Sequence, residues 1–173
     1  RADLVWRNTV TGASALWLMD GAHIIGGGGL MNDGTWQVMQ VADFDGDGKS
    51  DLLWRNDTSG ANAIWKNASS SNGQFVSNVG DLSWKVAGIG DFDGDAKADI
   101  LWRNASSGLN TVWKSANSAT PQAVTSIGDL NWKMAGIGDF NGDGKDDILW
   151  RNTSTGTNAI WGGASSSASG LAV

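Results

Sequence analysis

Three nine-residue stretches place oxygen-bearing side chains at alternating positions: Asp43, Asp45, Asp47 and Asp51; Asp91, Asp93, Asp95 and Asp99; Asp139, Asn141, Asp143 and Asp147. A lysine holds the seventh position of each, as Lys49, Lys97 and Lys145. Oxygens at positions 1, 3, 5 and 9, with a backbone carbonyl at 7, can wrap a hard cation such as calcium, and glycines between them let the loop turn sharply. One Asp/Gly-rich run is commonly a solvated turn. Three runs repeated every 48 residues, each with four oxygen side chains, carry the metal reading instead. An EF-hand does not fit, because its bidentate Glu at position 12 is replaced by Trp54, Trp102 and Trp150 and the flanks are not helical in pattern.

Strands must position these loops. After each comes Asp-Leu-Leu-Trp or Asp-Ile-Leu-Trp, short and rich in β-formers. Before each comes a run such as Trp84 to Gly90, whose small residues imply crowding where strands converge. A polar turn at 104–108 follows the second strand, then a third strand at 110–113 and a fourth near 122–126. No capped helical period occurs, so the expected class is all-β.

The 48-residue register holds at all eleven Trp residues, in columns that begin at Trp6, Trp17 and Trp36. Arg7, Arg55, Arg103 and Arg151 form another column. Residues 1–8 align with 49–56, so the first repeat starts inside its loop. Four short strands per repeat of this length are the signature of a β-propeller blade. The expected fold is therefore one repeat domain over 1–173, with a partial three-stranded blade at 1–30 and complete blades at 36–78, 84–126 and 132–173. A β-solenoid is the alternative, although its coils are usually shorter.

Composition narrows the function classes. The eighteen acidic residues are all Asp, and twelve lie inside the three loops. The formal charge of −6 is thus mainly a loop property that three divalent cations would offset, and it argues against a nucleic-acid partner. Cysteine is absent, which excludes disulfides and thiolate metal sites, and no apolar run reaches the length of a membrane span. His23 is the only histidine and lies outside the repeated columns, where a surface or turn role suits it better than that of a base. Asn56, Asn67, Asn104 and Asn152 open glycosylation sequons, which matter only if the source glycosylates proteins.

The string Gly88-Ile89-Gly90-Asp91-Phe92-Asp93-Gly94-Asp95, with the Trp-Arg-Asn strand behind it, resembles the FG-GAP and VCBS-type repeats of secreted and cell-surface proteins. The resemblance covers essentially the whole chain. It implies a propeller with calcium in the hairpin between the first two strands of a blade, as in integrin α-subunits and several propeller lectins. Carried over, the calcium ligands are the twelve loop side chains named above and the carbonyls of Lys49, Lys97 and Lys145. Ala96 departs from the pattern, where Gly is usual, and this marks the second of the three sites as the weakest.

The expected function is a secreted, non-catalytic calcium-binding module, carbohydrate-binding or adhesive, with a glycan or an extracellular protein as ligand. Trp faces stack on sugars, although a Trp repeated in every blade is more often core. The competing expectation is a calcium-stabilised scaffold within a larger secreted enzyme or surface protein. The incomplete first blade leads to one further expectation, a homo-oligomer that completes a ring.

Overall fold

The computed structural model describes residues 2–165 and the backbone of 171–172. The chain divides into two compact units, one formed by 1–41 and 50–80, the other by 42–49 and 81–173.

The first unit holds two antiparallel sheets. One has three strands, β1 (Leu4–Arg7), β2 (Ala13–Asp20) and β3 (His23–Asn32), in that order. The other is a four-stranded meander of β4 (Trp36–Ala42), β5 (Asp51–Asn56), β6 (Asn62–Trp65) and β7 (Gly73–Val76). His23 is exposed and faces Asp20 across the turn at Gly21 and Ala22. Leu52, Trp54 and Ala63 form the core here, packed by Val5, Met31 and Trp36.

The second unit repeats the meander twice. β8 (Trp84–Gly90), β9 (Asp99–Asn104), β10 (Asn110–Trp113) and β11 (Pro121–Val124) make one sheet. β12 (Trp132–Gly138), β13 (Asp147–Asn152), β14 (Asn158–Trp161) and β15 (Leu171–Ala172) make the other. The crowding expected along the first strand has a specific cause in this unit. A Cβ on Gly88 would lie 2.3 Å from Ile137 Cδ1 and 2.9 Å from Met134 Sδ, so the absent side chain is what lets the next sheet press in. The core joins Leu101 and Val112 of one sheet, with Phe92 from the loop between β8 and β9, to Ile148 and Trp150 of the other.

The second-strand tryptophans Trp54, Trp102 and Trp150 are at most 1 % exposed. Burying an indole removes roughly 200 Å² from water, about 5 kcal/mol as an upper figure. Each pairs with the third-strand Trp of its own sheet, Trp54 with Trp65 and Trp102 with Trp113 at centroid separations of 5.0 Å, Trp150 with Trp161 at 5.3 Å. These three members of the column that begins at Trp6 are core.

Three sequon asparagines are structural. Asn56, Asn104 and Asn152 are buried, and each side-chain oxygen accepts two amides of the turn that follows it. Asn67 alone of the four is exposed. The chain pattern gave no helix, yet short 3₁₀ turns follow the third strands, at Lys66–Ala68, Lys114–Ala116 and Gly162–Ala164. Among the described residues no helix is long and apolar enough to cross a membrane.

Candidate metal centres

Each loop is held by its own amides. In the second, Gly94 and Asp95 donate to Asp91 Oδ1 at 2.7 and 3.1 Å and Ala96 donates to Asp91 Oδ2 at 2.8 Å. The Asp95 amide also donates to Asp93 Oδ1, and the Lys97 amide to Asp95 Oδ1. The first loop repeats the set from Gly46, Asp47, Gly48 and Lys49. The third repeats it from Gly142, Asp143, Gly144 and Lys145. Three amides on one carboxylate favour its charged form. At Asp139 the Gly144 amide is the largest of several that hold the carboxyl below its ordinary range.

The positive φ that carries the chain through position 6 is +79° at Gly48, +63° at Ala96 and +83° at Gly144. Ala96 therefore occupies the left-handed region that disfavours a Cβ.

Position 9 behaves differently from the others. Asp51, Asp99 and Asp147 are fully buried at the head of the second strand. Asp99 Oδ2 accepts the Phe92 amide at 2.9 Å and Oδ1 accepts the Ser115 amide at 2.7 Å. Asp147 is held the same way by Phe140 and Gly163, and Asp51 accepts the Asn67 amide. This carboxylate thus ties the loop to the 3₁₀ turn sixteen residues further on. Burial pushes the Asp99 carboxyl up to about 6, against the pull of those two amides, with Asp93 and Asp95 adding to the rise.

Asp91, Asp93 and Asp99 bring one oxygen each to within 4.8 Å of one another, and so do Asp43, Asp45 and Asp51. Three convergent carboxylates are the donor set of a hard divalent cation. The fifth-position residues Asp47 and Asp95 stand outside these groups. Asp95 Oδ2 instead accepts the Ser115 hydroxyl at 3.1 Å. Lys97 and Lys145 send their aliphatic stems across the preceding loop, where a Cβ on Gly46 or Gly94 would sit 3.3–3.4 Å from them.

The third loop gathers its residues around a different centre. Asn141 Oδ1 takes the Asp143 amide at 2.8 Å, while its Nδ2 points inward, 3.2 Å from Asp143 Oδ2 and 3.5 Å from Asp147 Oδ1. An amide N–H stands where a carboxylate oxygen stands in the other two loops. Offering the Asn141 oxygen to a cation would require turning the amide and breaking the bond to Asp143.

Lys114, on the 3₁₀ turn, places its ammonium 3.2 Å from Asp93 Oδ2. Its repeat counterparts are Lys66 and Gly162, so lysine accompanies Asp45 and Asp93 whereas glycine accompanies Asn141. A Cβ on Gly162 would lie 3.5 Å from Asn141 Nδ2. The pairing was present in the sequence as two columns that change together.

No curated protein matches the chain. The model of a family described as FG-GAP-like repeat matches it twice, over residues 43–102 and 91–150, the two matches beginning one repeat apart. Together they span more than half of the chain and contain all three loops, so the protein belongs to the FG-GAP-like repeat family.

Proposed function

We propose that this chain is a secreted, non-catalytic β-propeller module that binds calcium and presents a carbohydrate-binding surface. The observation that carries the reading is the pair of three-carboxylate groups held open by loop amides. Calcium would be held by Asp91, Asp93, Asp95 and Asp99 with the Lys97 carbonyl, and by Asp43, Asp45, Asp47 and Asp51 with the Lys49 carbonyl. When bound, it neutralises carboxylates that otherwise repel one another, and so fixes the hairpin between the first two strands. Asp139, Asn141, Asp143, Asp147 and the Lys145 carbonyl would form a third set only with the Asn141 amide turned.

The propeller reading is supported by pairing. Each 48-residue repeat closes an antiparallel sheet on itself, whereas a β-solenoid would pair strands between successive repeats. The extracellular setting is carried by the resemblance alone, to FG-GAP and VCBS-type repeats of secreted and cell-surface proteins.

The burial of Trp54, Trp102 and Trp150 takes three rings out of contention as sugar platforms and favours the second reading, a calcium-stabilised scaffold. A glycan array probed in calcium and in chelator separates the two. Calcium-dependent capture of saccharides supports the module proposed. A chelator-sensitive melting temperature with an empty array leaves the scaffold, and a melting curve indifferent to verified calcium removal overturns the calcium reading itself.

A further inference from the structure

A cleft of about 250 Å³ lies between two neighbouring sheets of the second unit, where β8 faces the start of β12. Ala87, Ala105, Leu130 and Met134 give it an apolar lining, and three cationic side chains complete it, Lys85, Arg103 and Lys133. Among the described residues none that lines it is acidic, in a chain that carries eighteen Asp.

The charges are arranged at a cost. Lys85 and Arg103 are direct cross-strand partners, and like charges set opposite one another destabilise a sheet. Arg103 cannot swing away, because Nη1 donates to the Gly108 carbonyl and Asn110 Oδ1, and Nη2 to the carbonyls of Ile127 and Trp132. Its guanidinium also stands 5.0 Å from the Trp150 ring centre. It supplies a fixed positive charge while both of its Nη groups are already bonded. The exposed donors that can meet a ligand are the ammonium groups of Lys85 and Lys133, neither ion-paired among the described residues. The arrangement is particular to this unit. In the first unit the equivalent residue is Gln37, whose amide is bound to Asp57 at 2.7 Å.

We infer that this cleft binds the carboxylate of an acidic sugar, a uronic-acid unit of a polysaccharide. The inference rests on the carbohydrate-binding reading and specifies its ligand. An anion between the lysines turns the repulsion of Lys85 and Arg103 into attraction, and the apolar lining suits the C–H face of a pyranose ring. The volume falls below the roughly 300–1,000 Å³ of pockets for drug-sized ligands, so one ring enters. Nucleic acid is disfavoured by the net charge of −6.

Titration calorimetry of the full chain in calcium, with trigalacturonate and galactotriose as probes, tests this. The expected result is that trigalacturonate binds at least tenfold more tightly than galactotriose. Its affinity should fall at least tenfold in the Lys85→Gln/Lys133→Gln double variant, whose melting temperature should be no lower than that of the unaltered chain, and persist in Lys85→Arg/Lys133→Arg. Undiminished binding by the glutamine variant overturns the site, as does sulfate binding as tightly as trigalacturonate. Equal binding of both trisaccharides overturns the acidic-sugar inference and leaves the carbohydrate reading intact. A glycan array on which no saccharide is retained overturns both.

Discussion

At the third position of the second loop stands Asp93, met by the Lys114 ammonium at 3.2 Å. At the same position of the third stands Asn141, whose own amide nitrogen reaches Asp143 and Asp147, and opposite it the lysine has become Gly162. Both loops have the same amide bonds to their first carboxylate, and both must relieve the repulsion of clustered acids. The second relieves it with an ion pair whose partners are 36 % and 23 % exposed, a kind of pair worth at most about 1 kcal/mol. The third relieves it within the loop, with a donor that is covalently part of it. A metal ion can displace a lysine at small cost, whereas it must compete with the Asn141 amide for the same oxygens. The comparison therefore argues against the order suggested by Ala96 alone, and predicts that the third site, not the second, is the weakest.

The largest effects should come from position 9. Asp99→Ala leaves the Phe92 and Ser115 amides without their acceptor in a buried setting, and each such loss costs about 1–3 kcal/mol. A loss of roughly 2–5 kcal/mol in urea denaturation is expected, with chelator present so that metal plays no part. Asp147→Ala removes the equivalent bonds, but Phe140 is 49 % exposed where Phe92 is 1 %, so the orphaned amides regain water more easily. Its cost should be smaller by about 1 kcal/mol or more. Equal losses would mean that the two loops are anchored alike.

Next in size is the repair of the third loop. Asn141→Asp restores a carboxylate where the amide N–H now stands, and calcium affinity at that loop should rise about tenfold or more, equivalent to about 1.4 kcal/mol. Adding Gly162→Lys should take back part of the gain by supplying a competing cation. Loop-resolved NMR titration with calcium reads both. An affinity unchanged by Asn141→Asp would show that the inward amide is no handicap.

Acidity offers a third test, specific to the second loop. Burial keeps the Asp99 carboxyl protonated up to about pH 6, while in the unfolded chain it ionises near 3.8. Without metal the folded form binds this proton more tightly. The group's contribution to stability is therefore full below about pH 4 and is lost as the pH rises through 6. Calcium needs the ionised carboxylate, so its affinity at this loop should climb over the same window. The difference in melting temperature between calcium and chelator should widen from pH 4.5 to 7, and a constant difference would detach Asp99 from the metal.

The loops and strands were legible because both obey short-range rules. Ligand spacing is fixed within nine residues, and strands such as β8 and β10 begin or end at a Trp that recurs without a gap. What escaped depends on separations the periodicity does not encode. The bond from Ser115 to Asp99 spans sixteen residues and uses a backbone amide, so no side-chain type announces it. The 3₁₀ turn that supplies it is three residues long, too short for a helical period, and contains Ser115 and Ala116 at positive φ. The exchange of Lys114 for Gly162 was visible in the columns, but its meaning needed the distance to Asp93. The buried role of Asn104 was masked by its sequon, since the same three residues describe an exposed acceptor and a turn that caps itself.

The smallest effect concerns Ala96, which takes φ +63° where the other loops have glycine. A Cβ in the left-handed region costs roughly 1–2 kcal/mol, and Ala96→Gly removes that cost from the folded state. Glycine also enlarges the conformational freedom of the unfolded chain, which takes back about 0.4–1 kcal/mol. The two terms oppose each other, and the steric one is the larger at a position whose amide is already fixed by Asp91 Oδ2 at 2.8 Å. Ala96→Gly should therefore stabilise the chain by a few tenths of a kcal/mol up to about 1 kcal/mol. Gly144→Ala should destabilise by a similar amount, and both should appear in chelator as well as in calcium. Because the strain is present with or without the ion, only the part relieved on tightening of the loop reaches the affinity, and calcium binding at the second loop should improve no more than about fivefold. Urea denaturation of the two variants, in calcium and in chelator, checks the sign. If Ala96→Gly destabilises in both conditions, alanine is at ease at this φ, and the second and third loops differ through Asp93 and Asn141 alone.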